Sequence, residues 1–231
     1  MPPSDETRKL TWIVIPAYNE ASVIGSVVAA ICSIYPNVVV IDDGSADTTG
    51  IEAFKAGASL VTHAINLGQG AALKTGIHYV LQRDAKYIVT FDADGQHSID
   101  DVDTMFDVMS TKGCDVVLGS RFCGTTENLP LMRRFVLWLA ILFTRRSTGL
   151  NLTDTHNGLR LLSVEAARRI GLHQNGMAHA SELLEQIARH KISYSEAPVN
   201  IRYTDYSLQK GQKLSNSIGI LLDLIVRRFV K

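Results

Sequence analysis

Five times within the first 121 residues, a run of apolar residues stops at a cluster of acids, amides or glycine. TWIVIPAY gives way to Asn19-Glu20, NVVVI to Asp42-Asp43-Gly44, and SLVTHAI to Asn66-Leu67-Gly68. KYIVTF gives way to Asp92-Ala93-Asp94, and CDVVL to Gly119-Ser120-Arg121. Each run reads as a strand, with Pro16 ending the first. The segments between them read as helices. NEASVIGSVVAAICSIY has helical spacing with Asn19 as its N-cap, and DTTGIEAFKAGA is capped by Asp47. NLGQGAALKTGIHYVLQRD is a glycine turn opening a helix. SIDDVDTMFDVMSTKG carries acids in its first turn, where the helix dipole favours them. Near-continuous apolar strands alternating with helices predict an α/β fold with a mostly parallel sheet covered on both faces. In such sheets ligands sit beyond the carboxyl ends of the strands, where this chain gathers its polar residues.

The chain has 231 residues, enough for one sizeable core or a core with an appended subdomain. Its zero net charge hides a split. Residues 1–130 carry 8 Lys/Arg against 16 Asp/Glu, and residues 131–231 carry 15 against 7. The first part is therefore suited to a cation and the second to anions. MPPSDETRK lacks the apolar stretch of a secretory signal, and three cysteines form no framework, which fits a reducing cytoplasm. The longest apolar run, FVLWLAILF at residues 135–143, is far short of the roughly 20 residues that span a bilayer. It sits between two arginine pairs, Arg133-Arg134 and Arg145-Arg146. Farther on, SVEAARRIGL and SELLEQIARHK read as helices and ISYSEAPVNIRYT as a strand. Leu214, Ile218, Leu221, Leu222, Ile225 and Phe229 share one face of a final amphipathic helix.

Asp92 and Asp94 are the first candidates for chemistry. Residues i and i+2 of an extended strand face the same side, so both carboxylates can address one cation. Gln96 can add a neutral oxygen or a water contact, and an oxygen donor set of this kind suits Mg²⁺ or Mn²⁺. The alternative is an acidic turn capping the next helix. Asp42 and Asp43 can accept from a base or ribose, or serve a turn. Asn66–Gly70 resembles a phosphate-cradling loop but fits better as a tight turn with close backbone packing, and Lys74 reads as solvated. Arg121, Arg133, Arg160, Arg202 and Lys213 can each meet phosphate or be surface charges. His97 and His156 can be bases, ligands or hydrogen-bonded structural residues.

In order and spacing, IPAYNE, IDDGSADTT, NLGQGAALKTG, FDADGQH, VVLGSRF and DTHNGLR resemble the family 2 glycosyltransferases. Dolichyl-phosphate mannose synthases and bacterial polyprenyl-phosphate glycosyltransferases are the most similar branch. The resemblance runs from residue 12 to about residue 215. It implies a glycosyltransferase A-type, Rossmann-like fold, a UDP- or GDP-linked sugar donor, a divalent Mg²⁺ or Mn²⁺ ion, and inversion at the anomeric carbon. It implies that residues 1–130 bind nucleotide sugar and metal, and that residues 131–231 form the acceptor-binding, membrane-facing part of the same catalytic domain. Pro16, Tyr18, Glu20, Ile41 and Asp43 match the nucleotide pocket. Asp92, Ala93, Asp94 and Gln96 match the metal and diphosphate site. Arg121 and Arg133 match basic residues near the phosphates, and Lys213 loosely matches a lysine there. Asp154 and Arg160 match the ends of a motif beside the acceptor, and Glu182 an acid of the same region. The chain departs from the family pattern at Asn157-Gly158-Leu159-Arg160, after His156, and in the long stretch RYTDYSLQKGQKL.

The expected reaction is a single displacement in which the ion and Arg121 take up charge on the departing diphosphate. Asp94, Arg121, Asp154 and Arg160 are the residues expected to carry it. A lipid phosphate acceptor is already an anion and needs positioning by arginines rather than a base. A sugar hydroxyl, the alternative acceptor, needs a base, for which Asp154 leads His156 and Glu182. A catalytically inactive nucleotide-sugar-binding protein is the other alternative, against which the intact acid pair speaks. A nucleotidyltransferase would want a glycine- and lysine-rich N-terminal loop, which IPAYNEAS lacks. No nucleic-acid partner is expected. The arginine-flanked stretch and the final helix are expected to lie on an anionic membrane surface, as parts of a cytoplasmic, peripheral enzyme. A core helix, a packed tail or a homo-oligomer interface is the alternative use of the same faces.

Overall fold

A computed structural model describes residues 2–124, 126–127, 131–155 and 157–202. The elements in chain order begin with α1 (Asp5–Lys9), β1 (Thr11–Ala17), α2 (Ile24–Cys32), β2 (Asn37–Asp42), α3 (Thr49–Lys55) and β3 (Ser59–Thr62). Then come α4 (Gln69–Leu81), β4 (Tyr87–Thr90), α5 (Asp100–Lys112), β5 (Val116–Ser120), β6 (Thr126–Glu127) and α6 (Leu131–Thr148). The last are β7 (Arg160–Ser163), α7 (Val164–Arg169), α8 (His179–Arg189), β8 (Tyr194–Pro198) and β9 (Ile201–Arg202).

Among the described residues seven strands form one sheet in the order β3-β2-β1-β4-β7-β5-β8, and β6 pairs with β9 separately. Strands β3, β2, β1 and β4 run parallel, as do β5 and β8. Strand β7 is antiparallel to both neighbours, setting Arg160 opposite Thr90 of β4 and Leu118 of β5. The first residue of β7 therefore lies at the same rim as the last residues of β4 and β5.

Alternate strand residues enter two cores, which is why the strands read as continuous apolar runs. Ile13, Ile15, Val38, Val40, Val89 and Val117 pack with Ile24, Val28 and Ile31 of α2 and with Val102, Met105 and Phe106 of α5. Val14, Val39, Ile41, Ile88, Val116 and Leu162 pack on the other face with α4, α7 and α8. Each large aliphatic side chain buried in this way contributes about 1.5–3 kcal/mol relative to exposure. One pattern of covered strands thus holds the rim rigidly in place.

The five expected strands and four intervening helices are present, with differences at their ends. Strand β1 runs through Pro16 to Ala17. Helix α2 starts at Ile24 and Val23 precedes it, so Asn19 is not its cap. Asn19 instead takes φ 53°, and its Oδ1 accepts from Ala46 N–H at 2.8 Å, tying the β1 and β2 loops together. Asp47 accepts from Thr49 N–H at 3.0 Å and from Ala21 N–H at 3.2 Å. The run expected as one strand near the end divides into β8 and β9. Strand β7 has no counterpart among the strands expected from sequence. The apolar run 135–143 lies in α6, and no helix among the described residues is long and apolar enough to cross a membrane. The expected final amphipathic helix lies outside the described residues.

Candidate active site

Two loops at the rim are locked by the acids that end β2. Asp42 accepts from Ser45 N–H at 3.0 Å. Asp43 accepts from Leu67 N–H at 3.0 Å, Gly68 N–H at 2.7 Å and His63 Nδ1 at 2.7 Å. The His63 ring bonds through Nε2 to Thr75 Oγ1 at 2.9 Å. The buried Asp43 thus binds the Asn66–Gly70 turn to the sheet, the close-packing role expected of that turn. Nearby, Pro16 lies opposite Ile41 in the sheet, Tyr18 is 44% exposed, and Glu20 is buried with its N–H donating to Thr49 Oγ1 at 2.7 Å.

Beyond β4, Phe91 and Ala93 turn into the core, and alternation sends Asp92 and Asp94 the other way. Asp92 accepts from Gln69 Nε2 at 3.2 Å and from His97 Nε2 at 3.1 Å. Asp94 accepts from Gln96 N–H at 3.0 Å and from Gln96 Nε2 at 2.8 Å, so Gln96 enters the site as a holder of Asp94. Burial and the neighbouring Asp92 carboxylate push Asp94 up to about 6. Burial alone would raise Asp92 as well, but the His97 bond and the charges of His97, Arg160 and His179 hold it below the ordinary carboxylate value. The pair is therefore a set of hard oxygen donors in which nearby positive groups partly offset the Asp92 charge and the Asp94 carboxylate is raised. Gly158 faces it with no Cβ; a Cβ there would lie 2.1–2.4 Å from the Asp92 oxygens. Among the described residues no group of three or more His, Cys, Asp or Glu side chains forms a metal site. The protein's share of a cation's shell would be these two carboxylates with Gln96 beside them, a donor set that fits Mg²⁺ or Mn²⁺.

The anionic pair is backed by arginine. Arg121 follows β5 directly, and its N–H and Nε–H both donate to Asp154 Oδ2, at 3.2 and 2.6 Å. Their side chains are 8% and 0% exposed, so this is a buried ion pair. Glu196 of β8 steadies the Asp154 loop by accepting from Thr153 N–H at 2.7 Å and Asp154 N–H at 3.0 Å. Arg160 is buried, with the Asp92 and Asp154 charges acting on it, and its Nη1 is buried without a hydrogen-bond partner. Burial pulls the Arg160 guanidinium below its ordinary value, and those two carboxylates oppose the shift.

Of the expected site residues, the structure gathers Asp92, Ala93, Asp94, Gln96, Arg121, Asp154 and Arg160 along one stretch of rim, with Pro16, Tyr18, Glu20, Ile41 and Asp43 beside it. Glu182 is elsewhere employed: it accepts from His173 N–H and Gln174 N–H, both at 2.9 Å, and supports the turn that meets α4. The Arg133 side chain, His156 and Lys213 lie outside the described residues. Gln69, Gly158 and His179 were not singled out by sequence. The NLGQG turn contained the signal for Gln69, but nothing local shows that its side chain reaches β4.

The glycosyl transferase family 2 model matches residues 12–171. An uncharacterized protein of Methanocaldococcus jannaschii is 36% identical over 222 residues, spanning 94% of this chain and 91% of its own. The UDP-N-acetylglucosamine–dolichyl-phosphate N-acetylglucosaminyltransferase of Methanococcus voltae is 29% identical, spanning 96% of this chain and 98% of its own. The undecaprenyl-phosphate mannosyltransferase of Micrococcus luteus is 32% identical, spanning 69% and 68%. Among solved structures, glucosyl-3-phosphoglycerate synthase from Mycobacterium tuberculosis, in complex with Mn²⁺, UDP-glucose and phosphoglyceric acid, shares the fold. Its TM-score is 0.70 at 19% identity, over 95% of this chain and 79% of that one. With its rim of paired acids on a mostly parallel sheet, the chain belongs to glycosyl transferase family 2 and is an enzyme of the glycosyltransferase A type.

Proposed function

We propose that the protein transfers a sugar from a UDP- or GDP-linked donor to a polyprenyl or dolichyl phosphate, with inversion and with the aid of Mg²⁺ or Mn²⁺. The observation that carries the acceptor class is the Arg121–Asp154 pair. Transfer to a sugar hydroxyl would need a base, and the leading candidate for it is fully buried and spent on an arginine. Glu182, the other described candidate, bonds a turn instead. A phosphate acceptor needs no base, because its oxygen is already a nucleophile. The names of the lipid-phosphate relatives support the same class.

The nucleotide sits over Pro16, Tyr18, Glu20, Ile41 and Asp43, with its diphosphate toward Asp92, Ala93, Asp94 and Gln96. A divalent cation bound at this rim would supply charge neutralisation to the diphosphate. Asp92 and Asp94 would hold that ion, and Arg121, set by Asp154, adds positive charge at the rim. The His97 hydrogen bond and charge, with the Arg160 charge added, keep Asp92 ionised. Arg133 and Lys213 are assigned to the phosphates by their place in the family pattern.

The membrane side is proposed to be α6. Trp138 and Leu142 are 54% and 53% exposed, and with Phe122, Ile141, Arg145 and Thr153 they line an open groove of about 270 Å³. Exposed apolar side chains beside arginine suit an anionic lipid surface. The enzyme accordingly works as a peripheral protein on the cytoplasmic face.

The test is transfer of labelled sugar from UDP- and GDP-linked donors into an organic-extractable product. Polyprenyl phosphate is offered beside a polyprenyl-diphosphate sugar. Product with the phosphate alone is expected. Product with the glycan hydroxyl alone overturns the acceptor, and no product or donor hydrolysis with any divalent ion overturns the activity.

A further inference from the structure

The Asn66–Gly70 turn and His97 take no direct part in the donor or acceptor contacts above, yet both send a side chain to Asp92. Gln69 Nε2 reaches Oδ1 at 3.2 Å and His97 Nε2 reaches Oδ2 at 3.1 Å. We propose that Gln69 and His97 are positioning residues that grip the two oxygens of Asp92 and fix the carboxylate in the orientation in which it holds a divalent cation. This rests on the metal-assisted reading above and adds the residues on which the ion's affinity depends.

A carboxylate offers about four lone-pair directions, so each oxygen keeps capacity for an ion after accepting one hydrogen bond. Both donors are themselves anchored. Gln69 is the first residue of α4, and that helix start is fixed by Asn175 O, which accepts from Gly70 N–H at 2.7 Å and Ala71 N–H at 3.1 Å. Gly68 takes φ 101°, and a Cβ on Gly70 would lie 2.0 Å from Gln174 O. The two glycines thus let the chain come close enough for Gln69 to span to β4.

The His97 side chain is 3% exposed and stands edge-on to Phe91 with ring centroids 5.5 Å apart. Its backbone bridges Ile201, and Arg202 N–H donates to Gln96 O at 3.1 Å. Nε2 faces the carboxylate and carries the proton, while Nδ1 is buried without a hydrogen-bond partner. Gly158 lies against the carboxylate on a third side, and the Asp92 side chain is still 29% exposed. Asp92 is held from three directions, an arrangement in which removal of one outer hydrogen bond changes metal affinity about 10–100-fold.

Electron paramagnetic resonance of Mn²⁺ titrated into the full chain, with UDP or GDP present, reads free Mn²⁺ without any turnover. Q69A and H97A are each expected to weaken Mn²⁺ binding about tenfold. H97Q, which keeps an N–H donor of similar reach, is expected to recover most of the loss. D92N is expected to bind no Mn²⁺. Unfolding midpoints without metal check that each variant is folded, and Q69A with H97Q decides the matter if H97A is not. Unchanged affinity in Q69A and H97A beside loss in D92N overturns the positioning roles and leaves the metal site standing. H97Q binding as weakly as H97A overturns the donor role of His97. D92N binding Mn²⁺ like the unaltered protein overturns the metal site, and this inference with it.

Discussion

Arg121 and Asp154 meet at one carboxylate oxygen, which accepts both the Arg121 N–H and its Nε–H. The backbone bond sets where the arginine starts and the side-chain bond sets where it points. Removing one member takes a buried opposite charge away from the other. D154A is therefore expected to lose about 3–5 kcal/mol in urea unfolding, while the double variant R121M/D154L loses less than D154A alone. Equal losses in the two would show that the pair is not coupled.

Asp92 and Asp94 concentrate negative charge that the proposed ion relieves. D92A and D94A are each expected to lower kcat/KM about 10²–10³-fold, and chelation by EDTA to abolish transfer until Mn²⁺ or Mg²⁺ is restored. Turnover that survives both the substitution and the chelator would remove the ion from the account.

Gly158 leaves no space before Asp92. G158A puts a methyl group where the carboxylate now sits, so Asp92 or the loop must move. A stability loss of about 1–3 kcal/mol by chemical denaturation is expected, together with weaker Mn²⁺ binding. An unchanged Mn²⁺ affinity would mean that the loop yields and Asp92 does not.

His179 is buried at the start of α8, and burial, with the Arg160 charge, depresses its pKa from 6.5 to about 4. Between these values the unfolded chain binds a proton that the folded protein refuses. Stability is thus fully present above pH 6.5 and is lost as pH falls toward 4. The expected loss between pH 7 and pH 4.5 is about 2–3 kcal/mol greater than in H179Q, read by urea unfolding at each pH. Parallel pH profiles for the two proteins would assign the acid sensitivity to other groups.

Trp138 and Leu142 expose apolar surface on α6. W138A/L142A is expected to shift the protein from the floating to the soluble fraction with anionic liposomes, with partitioning reduced about tenfold or more. Flotation that is unchanged would place the lipid contact elsewhere.

The centre of the sheet was legible because its strands are apolar on both faces: Ile13 and Val14, or Val39 and Val40, enter opposite cores and leave no polar alternation to mistake. The rim was legible for the same reason, since the polar residues begin where each apolar run stops. Strand β7 was not. Four residues between a turn and a helix carry little periodic signal, and antiparallel insertion between β4 and β5 is decided by distant partners. Yet that insertion buries Arg160 where the charges of Asp92 and Asp154 act on it. Asn19 misled because a cap and a loop tie use the same side-chain oxygen, and the tie to Ala46 won.

The short strand β9 ends at Arg202, one hydrogen bond from Gln96 and beside the bridge to His97. Ile201 and Arg202 are therefore moored to the acidic loop itself. A shift of that mooring arrives at the segment of Asp92 and Asp94 through two backbone links, so β9 and the acidic loop move together.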